Sequence, residues 1–115
     1  MDVVVQRDFE VADEAGRAQG LASLKIYRPS PAANGEWTCR YQFLGFGDGW
    51  NDEPHAACGA DGWQALGRAM AIAAAALPGA PAYRARRLRL FGEALHDENM
   101  MRLVGAQGSN EARPS

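Results

Sequence analysis

The sequence predicts an α+β domain: an antiparallel meander of four or five strands, with one main amphipathic helix at about residues 62–77 packed on one face. Three observations lead there. Apolar and polar residues alternate over 3–11 and 36–43, the period of half-buried strands. The early connections are short and rich in Gly, Pro and Asn, as hairpins require. A later stretch carries apolar residues at helical spacing.

Each element follows in turn. Val3, Val5, Phe9 and Val11 share one face of the first strand, with Arg7 the one misfit among them. The segment 12–20 is polar and holds two glycines. A second strand over 21–28 sets Ala22, Leu24 and Ile26 on one side. Pro29, Pro31 and the turn pair Asn34-Gly35 stop it. Trp37, Cys39, Tyr41 and Phe43 then face one way along the third strand, and Glu36, Thr38, Arg40 and Gln42 the other. A glycine-rich loop over 44–54 leads to a short strand of small residues at 55–60.

Asp61 offers an N-cap carboxylate, and Gln64 stands three residues on, as a capping box requires. Trp63, Leu66, Met70, Ala73, Ala74 and Leu77 form the apolar stripe expected to lie on the sheet, and Pro78-Gly79 ends the helix. Beyond it, 86–91 reads as a fifth strand or as part of a helix starting at Pro81, with the strand preferred. The segment 96–104 suits a helical turn or an edge element. Residues 1–104 are expected to form a single domain and 105–115 a flexible tail. The expected core comprises Val3, Val5, Phe9, Val11, Leu24, Ile26, Trp37, Tyr41, Phe43, Leu66, Met70 and Leu77.

Composition narrows the function. With 115 residues, 47% hydrophobic and 23% charged, the chain fits one globular core. A net charge of −2 argues against nucleic acid, whose phosphates need surplus Lys and Arg. The first residues form no signal peptide, and 69–77 is too short to span a bilayer, so the expectation is a cytoplasmic protein with no membrane partner and with Cys39 and Cys58 reduced.

The chemistry-bearing residues are few. Cys58 stands just before the helix mouth, where a dipole favours thiolate, but the Asp61 carboxylate opposes it and no arginine follows closely. His55 and Cys58 lack the paired spacing of a structural zinc site, so no metal is expected. Gly45–Gly49 lacks the Lys-Ser/Thr of a phosphate loop, and no other cofactor motif occurs.

Two segments remain as binding surfaces. In the 44–54 loop, Phe46 and Trp50 stand among Asp48, Asp52 and Glu53, a mixture suited to a protein interface; alternatively, Trp50 folds back over the sheet edge. Arg84, Arg86, Arg87 and Arg89 either contact an anionic partner or solubilise an edge strand, and the second is preferred.

Trp37, Cys39 and Tyr41, followed by Gly59, Asp61, Gln64, Ala65 and Leu66, resemble a family of small uncharacterised bacterial proteins. Those proteins share a Trp-x-Cys-x-Tyr strand and a Gly-x-Asp-x-x-Gln-Ala-Leu helix start. The resemblance spans about residues 3–78, leaves the Arg-rich end outside, and implies the fold but no activity. The function expected is a non-enzymatic protein-binding module, most specifically an immunity-type protein that occludes a toxin or effector, monomeric or weakly dimeric. The alternative is a small-ligand binder or enzyme with a pocket near His55, Cys58 and Trp63.

Overall fold

The computed structural model describes residues 2–105. Strands β1 (Val3–Ala12) and β2 (Ala18–Tyr27) form a long antiparallel hairpin. Its turn is built on Asp13, whose carboxylate accepts from the amides of Ala15 and Arg17. Two-residue β3 (Ser30–Pro31) prolongs the line of β2 along β4 (Trp37–Leu44), after a one-residue slip in pairing. β5 (His55–Gly59) takes the opposite edge of β4.

The chain then crosses the sheet. It passes through α1 (Gly62–Ala76), a 3-10 turn at Leu77–Gly79 and α2 (Pro81–Arg84), and returns beside β1 as β6 (Leu88–Leu90). β7 (Glu93–Ala94) hairpins back onto β6, and α3 (Met100–Val104) follows. The order across the sheet is β5, β4, β2, β1, β6, β7, all antiparallel. The expected meander and covering helix are present. The region after Pro78 holds both features weighed for it, in short form: a helical turn from Pro81 and a strand within 86–91. The expected 105–115 tail, Gly105 apart, lies outside the described residues.

The start of α1 is set locally. Asp61 Oδ1 accepts the Gln64 amide at 2.8 Å, and Gln64 Oε1 accepts the Ala60 amide at 2.7 Å. The face it buries differs from the expected stripe. Ala65, Ala69, Ala73 and Leu77 lie against the sheet, whereas Trp63 is 88% exposed and Met70 45%. Relative to the expectation, the helix is turned by roughly 80°, less than the 100° step of one residue. The reason is proximity. A Cβ on Gly59 would lie 2.5 Å from the Ala65 nitrogen, so the first turn of α1 touches the end of β5 backbone to backbone. Only alanines fit a helix that close, and the bulky residues turn outward.

The larger core side chains come from the sheet and the 45–54 loop. Phe9, Ile26, Tyr41, Phe43 and Leu77 are buried as expected; Val11, Leu24, Trp37 and Leu66 are partly buried against them. Val3 and Val5 are not core residues, at 42% and 41% exposed. Arg7, the misfit on the apolar face, donates from Nη1 to the Leu103 carbonyl at 2.9 Å, satisfying a C-terminal carbonyl of α3.

Candidate functional site

The residues of the expected pocket do not converge. His55 and Cys58 are three apart on β5, so strand alternation sends them to opposite faces of the sheet. The His55 ring stacks on Tyr41 at 5.5 Å on the helix side, while Cys58 is exposed on the other. Trp63 projects from the outer side of α1. Cys39 is fully buried, with Sγ 3.2 Å from the Tyr27 carbonyl oxygen, and burial pushes its thiol pKa up. Among the described residues, no three His, Cys, Asp or Glu side chains gather as a metal site would require.

The 44–54 loop is folded inward. Phe46 is 1% exposed, and its ring meets Phe43 at 5.3 Å and Phe9 at 5.6 Å, both edge-on. Trp50 is half-buried, 4.8 Å from Phe43. Gly47, at φ 115°, makes the turn: a Cβ there would strike Pro81 at 2.9 Å. The Phe46 carbonyl also accepts the Ala82 amide at 3.0 Å, which ties the loop to α2. Phe46 is therefore out of reach of a partner, and the Trp50 ring is committed to the core. Asp48, Asp52 and Glu53 stay on the surface.

A different surface is open. The β6 ladder on β1 covers Glu10 and Val11 and continues only into the Ala12–Arg87 backbone bond. The Ala12 amide donates to Arg87 on the β6 side, so alternation turns the N–H and C=O groups of Glu10, Asp8 and Gln6 to that side too. β6 ends at Leu90, where Phe91 and Gly92, at φ 53° and 80°, turn it back into β7. Beyond that turn no described strand pairs with Gln6 or Asp8 on the β6 side, although both pair with β2 on the other, and this edge runs free until a bulge at Val4 interrupts the strand.

Apolar side chains line this edge without being buried. Val3, Val4 and Val5 are each about two-fifths exposed, and Phe91 is 74% exposed. Phe91 holds a left-handed backbone that a bulky residue adopts at a cost of order 1–2 kcal/mol, and its ring carries the Arg7 guanidinium at 5.8 Å. Beside the edge, an apolar groove of about 220 Å³ is bordered by Val5, Arg7, Leu24, Ile26, Met70 and Val104. On the opposite face of β1, Gln6 and Ser23 both donate to Asp8 and hold its carboxyl below the ordinary value. Sequence reasoning missed this site. The signals were three consecutive valines, which break the alternation, and an aromatic at the first position of a Phe-Gly turn.

The remaining polar cluster knits the C-terminal region together. Tyr83 Oη donates to Asp97 Oδ1 at 2.6 Å, and burial together with that carboxylate raises the phenol's pKa. Asn99 is buried between the Ala94 carbonyl and the His96 amide.

A family model described as a domain of unknown function (DUF6968) matches residues 5–100. The matched span includes the β1 edge from Val5. It also runs through Arg84–Arg89, which the resemblance had left outside. No curated protein and no solved structure matches the chain. Among the described residues, no helix is long and apolar enough to cross a membrane.

Proposed function

We propose that this chain, which belongs to the DUF6968 family, is a non-enzymatic protein-binding module whose partner adds a strand to the open edge of β1. The observation that carries this reading is that, among the described residues, the outward backbone groups of Gln6 and Asp8 have no strand partner, while Val3, Val5 and Phe91 are exposed and an apolar groove lies beside Val5. An added strand gains main-chain hydrogen bonds from the edge and specificity from side chains at alternate positions. The partner segment is extended. It carries apolar side chains on the face toward Met70 and Val104 and polar ones on the face toward Asp8 and Ser23.

The most specific form of the proposal is an immunity-type protein that covers a toxin or other effector. A one-domain chain of net charge −2, in which His55, Cys58 and Trp63 point apart, suits that use. The acidic loop residues Asp48, Asp52 and Glu53 then serve at most as a second, peripheral contact.

The test uses Gln6→Pro. It removes an outward N–H and blocks the edge, yet spares the β1–β2 ladder, because proline is tolerated on an edge strand. Protein captured from the native host by the parent chain should be lost with Gln6→Pro and kept with Asp52→Ala. In the recovered complex, amide exchange at Gln6 and Asp8 should slow. Capture that survives Gln6→Pro but fails with Asp52→Ala would return the interface to the loop.

A further inference from the structure

A second site lies at the other end of β1. The turn after β1 and the segment joining α2 to β6 enclose a polar cleft of about 430 Å³, lined by Asp13, Glu14, Gly16, Arg86, Arg87 and Arg89. We infer that this cleft binds a small phosphorylated molecule through Arg86, Arg87 and Arg89.

Among the described residues, none of the three guanidinium groups has a carboxylate within salt-bridge distance. Two are held in place by neutral groups. Arg87 donates to the Ala12 carbonyl and the Gln19 side-chain oxygen, and Arg89 Nη1 donates to the Gly16 carbonyl at 3.1 Å. Each keeps N–H groups with no acceptor among the described residues, and the Nε of Arg89 is shut off from solvent without a partner. A small rotation toward an anion in the cleft relieves that buried donor. Asp13 is turned into its own loop, where it accepts two backbone amides, which leaves Glu14 as the exposed acid on the rim.

Arg86 makes the stronger argument. The amides of Arg86 and Arg87 close on the carbonyls of Tyr83 and Ala82 at 2.9 and 2.8 Å, which is a Schellman cap on α2. Arg86 occupies the left-handed position of that cap, at φ 57°, where glycine is the relaxed choice. The backbone favours glycine there, and the Arg86 side chain borders both this cleft and the neighbouring one lined by Asp97 and Glu98; an anion bound in the cleft would account for the arginine. Three forked donors supply more N–H groups than one carboxylate accepts, and they match the oxygens of a phosphate dianion. The cleft has room for one small ligand.

The cleft shares no lining residue with the groove beside the β1 edge. The test is titration of the ¹⁵N-labelled full chain with inorganic phosphate and with phenyl phosphate, against chloride at equal ionic strength. The side-chain Nε resonances of Arg86, Arg87 and Arg89 should shift and saturate with both ligands. Arg86→Gly, which relieves the backbone, should melt at the parent temperature or higher in chloride and bind phosphate at least tenfold more weakly. Arginine resonances that stay unmoved, or an Arg86→Gly variant with the parent's affinity, would overturn the assignment. So would binding of a phosphoserine peptide with no response to phenyl phosphate, since that places the ligand on a protein and not on a small molecule.

Discussion

Replacing Phe46 by alanine separates a structural loop from a binding loop. Phe46 is 1% exposed and meets Phe9, Phe43 and Trp50. The sheet walls the site on one side, and on another α2 does, through the Phe46–Ala82 backbone bond. The space left by the ring has little freedom to collapse, so the loss belongs in the middle of the range for a buried phenylalanine, about 4 kcal/mol. For a domain of this length each kcal/mol moves the melting temperature by about 4 °C, so Phe46→Ala should melt about 16 °C lower. Urea unfolding followed by tryptophan fluorescence reports the change directly, because Trp50 lies within the same ring cluster. The exposed neighbour Glu53 is the control, and its alanine variant should stay within about 0.5 kcal/mol of the parent. A Phe46→Ala variant within ~1 kcal/mol of the parent would refute the inward packing of the loop and restore Phe46 as a contact residue.

Three other outcomes follow from the packing and the charges. Gly59→Ala should destabilise by about 2 kcal/mol or more, since the new methyl collides with backbone at Ala65 and no flexible side chain can yield; chemical denaturation reads it. Cys58 should react with a maleimide in the native protein, while Cys39, buried and with a raised thiol pKa, should react only after unfolding; mass spectrometry of the timed reaction distinguishes them. Glu93 forms an ion pair with Arg102 that holds its carboxyl below the ordinary range, so this contribution to stability is present above the unfolded carboxyl's pKa and disappears as pH falls through the lower folded value. Glu93→Gln should therefore flatten the acid limb of the melting curve slightly and leave the neutral limb lower.

Much of the sheet was legible because its signal is local. Residues 37–43 alternate without error, and the face they predict is the buried one. Asp61 and Gln64 marked the start of α1, since a cap depends on residues three apart. The buried face of α1 was not legible. Large apolar residues outweigh alanine in any reading of periodicity, and the contact that reverses the preference is a backbone approach at Gly59, set by tertiary packing. The 44–54 loop misled for a related reason: aromatics among glycines and acids look available, and only the turns around Gly47 show that Phe46 points inward. The open edge of β1 was hidden because it depends on where β6 stops, and β6 pairs with β1 across more than seventy residues of chain. Arg7 was visible as an anomaly from the start, but its partners, Leu103 and Phe91, lie far away in sequence.

The central claim is that, among the described residues, one side of β1 has no strand partner over Gln6 and Asp8, and residue-resolved hydrogen exchange on the isolated protein addresses it most directly. The amides of Arg7 and Phe9, which face β2, should exchange slowly, with those of Gln6 and Asp8 at least tenfold faster. Equal protection at all four positions would mean that the edge is already covered, and the proposed mode of partner binding would fall with it.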